Sequence, residues 1–345
     1  MSELLLDVEN LTLGFRTERG LARILDGASL RIAPGQVMGL VGESGCGKTT
    51  LARAILGVLP AGGARIDGGS IAFRGRDLLR EDPAIVARDL RGRAITFIPQ
   101  DPFSSFNPVF TIGDQMMDLM KWKSPRRKGE GRWPALLQPY PRARRRADME
   151  AVLEMLAAVQ LPNPRAILRK YPHEVSGGQR QRLMIAMALL PEPDLVIADE
   201  PTTALDVTIQ AQILGVIRRL ATERRVAVLL TTHDLGSAWE ICDAVTVMYA
   251  GQDVESAPID AFFAAPAHPY TTRLLESLPR APEEGGAADV GGIPGEVPSP
   301  LAQPAGCRFH PRCDRATEAC RVVRPEETQL AAGHRLRCYH PRLPA

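Results

Sequence analysis

Two alternating stretches open the chain. Residues 3–16 and 22–33 set apolar side chains at near-alternate positions, the period of a half-buried strand, and the polar run Arg16–Leu21 between them reads as a turn. Val37–Val41 is short and continuously apolar, the form of a strand covered on both faces. It runs directly into a glycine-rich segment and then into a helical pattern, Leu51–Leu59. Ile66–Arg74 reads as a further strand, entered by Gly68 and Gly69, and Ile95–Pro99 is apolar and buried in character. Helices are expected at about 148–160, at 177–190 and at about 207–223. Strands are expected at Leu195–Ala198, Val226–Thr231 and Ala244–Tyr249. Strands alternating with helices predict an α/β protein with a parallel sheet. The helix-rich stretch 101–190 interrupts that alternation and is expected to form its own subdomain.

Length and composition narrow the class. The 345 residues suggest about two domains. With 45% hydrophobic and 24% charged residues the chain is not a disordered one. A formal charge of +2 favours no particular partner, yet the stretch Lys121–Arg146 carries ten basic residues and one acidic one. No apolar run approaches the ~18 residues of a membrane span, and the opening MSELLLDVEN lacks the pattern of a signal peptide. A soluble, cytoplasmic protein is expected, with any membrane role acting through a partner. Six cysteines are too few for a disulfide scaffold at this length. Cys46 and Cys242 stand alone, whereas four fall within the last 39 residues. Eight of the sixteen residues from Gly291 to Gly306 are Gly or Pro, so an extended linker is expected over 281–306.

The strongest chemical signal is Gly42-Glu43-Ser44-Gly45-Cys46-Gly47-Lys48-Thr49, which fits G-x-x-x-x-G-K-[ST] between a strand and a helix. Glycines let backbone N–H groups converge on phosphate oxygens, and the helix that follows points its positive end at the same anion. Lys48 supplies a point charge to the β- and γ-phosphates, and Thr49, followed by Thr50, offers a hydroxyl to Mg²⁺. Cys46 fills a position where only backbone is used; a redox-sensitive thiol is the alternative. Downstream, the strand Leu195–Ala198 ends in Asp199 and Glu200. Because neighbouring strand residues point to opposite sides, Asp199 is expected to reach the Mg²⁺ shell while Glu200 orients and deprotonates an attacking water. Ser176-Gly177-Gly178-Gln179 precedes a helix that Pro191 ends. Ser176 can cap that helix, and the glycines leave its amino end bare, a second anion-binding terminus in one chain. One nucleotide does not need two such ends from one subunit, so a second subunit is implied.

At this point the sequence resembles the ATP-binding cassette family over roughly residues 4–280. The resemblance implies an α/β P-loop NTPase core with an amino-terminal antiparallel β-subdomain and an inserted helical subdomain at about 101–190, together making a nucleotide-binding domain over 1–270. It implies that Gln100 senses Mg²⁺ and touches the permease, and that Ser176–Gln179 is the signature, with Val175 where leucine is usual. It further implies that Ala204-Leu205-Asp206 is the D-loop, that His233 is the switch histidine, and that Phe15 stacks on adenine. Strand packing for Phe15 and a structural role for His233 are the plainer readings. The elements for hydrolysis are complete, which makes an ATPase the expectation.

The run HPYTTRLLESLP, then IPGEVPSP and the four late cysteines, resembles the carboxy-terminal extension of oligopeptide and dipeptide importer ATPases, here 271–345. Nickel and other solute importers share that branch, and a soluble non-transport ATPase of the same family is the rival class. The implied partners are a second ATPase subunit, expected as a heterodimer, two transmembrane permeases and an extracytoplasmic binding protein. No nucleic-acid partner is expected, and the chain would sit peripherally on the cytoplasmic face of the inner membrane. Cys307, Cys313, Cys320 and Cys338 are spaced C-x5-C-x6-C-x17-C. The four can hold a [4Fe–4S] cluster, hold zinc, or remain reduced or disulfide-linked thiols. Their wide loops and the cluster carried by some relatives favour the first, as a staple for a core-poor tail. The basic stretch reads as a solvated loop or as a contact for anionic lipid headgroups.

Overall fold

The computed structural model describes residues 4–60, 62–102, 104–127, 139–203, 206–278 and 292–342. Two compact units emerge: Met1–Ala33 with Val37–Glu81 and Leu230–Ala345, and Pro34–Gln36 with Asp82–Leu229. Along the chain the first unit opens with β1 (Leu6–Thr17), β2 (Gly20–Ile32), β3 (Val37–Val41), α1 (Lys48–Leu56), β4 (Ala64–Phe73) and β5 (Arg76–Asp77). The second holds α2 (Pro83–Ile85), β6 (Ile95–Ile98), α3 (Ile112–Lys123), α4 (Arg142–Ala158), α5 (Pro164–Ile167), α6 (Gly177–Leu189), β7 (Leu195–Asp199) and α7 (Val207–Arg224). The strand β8 (Ala227–Thr232) begins in the second unit and ends in the first. The first unit then resumes with α8 (Leu235–Ile241), β9 (Ala244–Tyr249), β10 (Gln252–Pro258), α9 (Ile259–Ala264), α10 (Pro269–Glu276), α11 (Glu318–Val322), β11 (Thr328–Ala331) and β12 (His334–Leu336).

In the first unit, an antiparallel sheet has the order β2-β1-β4-β5. Leu6, Val8, Leu11 and Leu13 of β1 are fully buried, as the alternation predicted. Gly68 and Gly69 lie inside β4 rather than at its entrance. There β1 bulges at Asn10, whose φ is 49°, and a Cβ on Gly69 would come within 2.6 Å of the β1 backbone. The glycine is required by that close approach. The other sheet of this unit has the order β11-β12-β10-β9-β3, followed by the end of β8. β3 pairs in parallel with β9, and every residue of β3 is buried. β10 returns antiparallel to β9, and the hairpin β11–β12 extends it (Glu255 opposite Leu336). None of β10, β11 or β12 was legible beforehand.

In the second unit β6 pairs in parallel with β7, and β7 and the start of β8 are fully buried. Between residues 101 and 190 the described elements are all helical. α4 starts six residues earlier than the sequence suggested, inside the basic stretch, behind Pro141. The reason is Asp148, which is fully buried and accepts hydrogen bonds from Ser124 Oγ (2.7 Å) and Tyr140 Oη (2.9 Å). Arg144 lies over the Tyr140 ring. Lys123 Nζ donates to Arg91 O at 2.7 Å, and burial lowers its pKa. Part of the basic stretch is thus structural; residues 128–138 fall outside the described residues.

Candidate functional site

The first unit carries the phosphate loop. β3 ends at Val41, and Gly42 turns the chain with φ 147°; a Cβ there would stand 2.2 Å from Met248 O. Gly47 precedes α1 in a left-handed conformation (φ 109°), and no side chain caps the helix. A Cβ on Gly47 would come 2.8 Å from the Leu25 side chain, so glycine alone fits. The uncapped N–H groups and positive helix end are left to face an anion. Lys48 is buried, and its Nζ donates to Gly42 O at 2.7 Å and Glu43 O at 3.2 Å. Ser44 and Gly45 are exposed at the loop tip, and Thr49 and Thr50 are half-buried in the first turn of α1. Cys46 is buried, and burial raises its thiol pKa. Both run against the redox-sensitive reading, which needs an accessible thiolate. Phe15 is half-buried on β1, opposite Ala22 on β2 and Ala64 on β4. His233 is exposed just after β8, where Asp234 caps α8 by accepting from Gly236 N at 2.9 Å.

The second unit carries the acidic and signature residues. Asp199 is the buried last residue of β7. Glu200 is not on the strand, as had been expected; it has φ 46°, in the left-handed region. A backbone reversal, not strand alternation, separates the two carboxylates, and the conformation is a strained one for a glutamate. Glu200 Oε2 accepts hydrogen bonds from Gln100 Nε2 (3.3 Å) and Thr203 Oγ1 (3.0 Å). The sequence had assigned Gln100 and Glu200 separate roles; the structure joins them. Ser176 is exposed and caps α6, its Oγ accepting from Gln179 N (3.3 Å) while Gln179 Oε1 accepts from Ser176 N (3.1 Å), a reciprocal capping box. Gly177 and Gly178 follow in the first turn. Asp206 is exposed and caps α7 through Ile209 N at 3.0 Å. Ala204 and Leu205 lie outside the described residues.

The carboxy-terminal residues return to the first unit. His268 caps α10, its Nδ1 accepting from Tyr270 N at 3.0 Å, and Pro269 fixes the first turn. Tyr270 Oη in turn accepts from the backbone N–H of Glu43, at 2.9 Å, in the phosphate loop. The Glu43 carboxylate is forked by Arg312 at 2.8 and 3.1 Å. Neither partner of Glu43 was foreseen; the run HPYTTRLLESLP was read only as part of the extension. The tail is not core-poor either. Phe309 is fully buried and packs against Tyr249 and Tyr270 at centroid distances of 5.2 and 5.3 Å. Cys307, Cys313, Cys320 and Cys338 all line one small hollow, together with His310 and His340. None of the six cysteines is in a disulfide. Burial, with a further push from neighbouring thiols, raises Cys307 to about 11 and Cys338 to about 12. Among the described residues no three His, Cys, Asp or Glu side chains converge tightly enough to hold a single metal ion.

Comparison with known proteins gives two family matches: "ABC transporter" over residues 25–203, and "Oligopeptide/dipeptide transporter, C-terminal region" over residues 254–320. A protein of Sinorhizobium fredii named "Probable peptide ABC transporter ATP-binding protein" is 43% identical over 98% of this chain and 95% of its own length. The dipeptide transport ATP-binding protein of Bacillus subtilis is 41% identical over 98% and 95%. Among solved structures, a dimeric ATP-binding cassette in a post-hydrolysis state, bound to ADP and phosphate, matches with a TM-score of 0.60. It covers 74% of this chain and 98% of its own at 23% identity, a likeness of fold. No helix among the described residues is long and apolar enough to cross a membrane.

Proposed function

This chain belongs to the ABC transporter family, in the branch with the oligopeptide/dipeptide transporter C-terminal region, and is an ATPase; on that premise we propose that it powers import of di- and oligopeptides through a membrane permease. The observation that carries the substrate class is the extension at 254–320, matched together with two peptide-named relatives over nearly the whole chain. Nickel import and a non-transport role are outcomes that its test separates.

Within the site, the loop N–H groups, the bare end of α1 and Lys48 bind the phosphates, and Phe15 packs against the base. Thr49 in the first unit, and Asp199 and Gln100 in the second, are each assigned to Mg²⁺, which when bound neutralises phosphate charge. Glu200 accepts the proton of the attacking water, held in place by Gln100 and Thr203. His233 is the assigned partner at the γ-phosphate. At the end of α6, Ser176 is exposed and Gly177–Gln179 are half-buried, and with Asp206 this segment serves the nucleotide of a second ATPase subunit, in a heterodimer. Val109 and Phe110, 74% and 53% exposed just before α3, offer an apolar edge for a permease. With an extracytoplasmic binding protein delivering substrate, the chain would work peripherally at the cytoplasmic face of the membrane.

The wide spacing C-x5-C-x6-C-x17-C supports a [4Fe–4S] cluster over zinc, whose sites use tight cysteine pairs, and the four thiols share one hollow. Such a group, held by Cys307, Cys313, Cys320 and Cys338, would cross-link three stretches of the tail.

The deciding experiment reconstitutes the chain with its permeases and second ATPase in liposomes. ATP hydrolysis is expected to rise with peptide-loaded binding protein, and labelled peptide to accumulate. Stimulation by a nickel-loaded binding protein alone overturns the substrate class, and failure to copurify with any permease overturns transport.

A further inference from the structure

Glu43 is the single acidic residue of the loop Gly42–Thr49. A carboxylate there opposes binding of a triphosphate, so its charge must be managed. Arg312 does so from 269 residues away in sequence. Its guanidinium places Nη1 2.8 Å and Nη2 3.1 Å from the two Glu43 oxygens, a fork. The other donors are fixed too: Nε to Pro294 O at 2.9 Å, Nη2 to Ile293 O at 2.9 Å, and Nη1 to Tyr249 Oη at 3.2 Å. The side chain is 3% exposed, whereas Glu43 is 27% exposed. Burial opposes the Arg312 charge, but Glu43 and Tyr249 more than offset it, and its pKa is raised. Beside this fork, Tyr270 holds the Glu43 N–H. Arg308, one residue past Cys307, pairs with Asp26 and donates to Ala250 O at 3.1 Å; the adjacent Gly251 N–H donates to Cys46 O at 2.9 Å.

We propose that the carboxy-terminal extension is part of the nucleotide site, with Arg312 as a positioning residue that neutralises Glu43 and draws its carboxylate away from the phosphates. The inference rests on the reading of Gly42–Thr49 as an ATP cradle. Arg312 touches no phosphate; it acts through Glu43, while Tyr270 fixes the backbone of the same residue. Loss of Arg312 leaves a mobile, uncompensated carboxylate in the cradle. The penalty is electrostatic in part, so salt must lessen it.

The test measures MgATP affinity of the full-length chain with a fluorescent ATP analogue. R312M is expected to weaken binding about tenfold, the scale of a lost hydrogen-bonded charge pair. In an E43Q background the same substitution costs much less, because the charge it leaves exposed is gone. Raising ionic strength narrows the gap between wild type and R312M. R312K, which keeps the cation but not the fork, gives a smaller loss that E43Q again reduces, and it carries the test should R312M not fold. Wild-type affinity in both arginine variants, or an R312M loss unchanged by E43Q, overturns the inference. A wild-type chain that binds no ATP overturns instead the cradle on which it rests.

Discussion

Glu200 leaves the end of β7 with φ 46°, and that single dihedral determines where its carboxylate goes. Non-glycine residues pay about 1–3 kcal/mol for such a conformation, and they keep it where the surroundings over-determine it. Here Gln100 and Thr203 do so. The neutral isostere E200Q keeps the volume and the contacts but cannot take a proton. It is expected to bind MgATP normally and to hydrolyse it about 10²–10⁴-fold more slowly. Single-turnover hydrolysis at saturating ATP checks this, and unimpaired turnover rejects Glu200 as the base. At the same scale, Asp206 Oδ1 caps α7 by accepting from Ile209 N at 3.0 Å.

Helix α10 shows how an element can carry a titration. Its cap, His268, is wholly buried and uses Nδ1 as an acceptor for Tyr270 N–H, so the neutral ring is the fitting one. Burial pushes its pKa down to about 4, with the Glu255 charge acting the other way. Unfolded, the ring takes a proton near pH 6.5, so between those values the unfolded chain binds more protons and stability falls as pH falls. By pH 5 the loss from this group is about 2 kcal/mol. Glu255 acts in the same direction at lower pH, below the ordinary glutamate value of about 4.3. It accepts from Ala267 N, His268 N and His334 Nε2, all at 2.8 Å; burial opposes its charge, but these donors hold its pKa below the usual range. Thermal unfolding between about pH 7.5 and pH 5 is expected to show a falling Tm. H268N keeps a capping acceptor without the titration, and its Tm should fall less. An equal fall in both places the acid sensitivity elsewhere.

In the first unit as a whole, the extension is woven in rather than appended. The hairpin β11–β12 lengthens the sheet at β10. Arg324 donates to Asp26 O and Gly27 O at 2.8 and 2.9 Å, and Arg337 Nε reaches Asp253 at 3.1 Å. The segment with Cys307 and Cys313 also carries Arg308, which pairs with Asp26, and Arg312, which forks Glu43; the proposed cluster would steady both. Anaerobically purified full-length protein is expected to contain ~4 iron and matching sulfide per chain, with a broad visible absorption. C338S should lose most of it. One equivalent of zinc, or no metal at all, removes the cluster.

The motifs proposed to meet phosphate are readable from the chain alone, because each is local. Gly42–Thr49 needs only a strand, tight glycine dihedrals and a helix, all written within a dozen residues. Ser176–Gln179 needs only a cap. The buried strands Val37–Val41, Leu195–Asp199 and Ala244–Tyr249 announced themselves because strands covered on both faces are apolar without interruption. β10 did not, since its buried residues include Gln252, Asp253, Glu255 and Ser256, polar groups tolerated only because distant partners satisfy them. The same cause hid the partners of Glu43. An arginine 269 positions on, a tyrosine after a capping histidine and four thiols around one hollow acquire meaning only when long-range packing brings them together, and nothing in the local spacing specifies that packing.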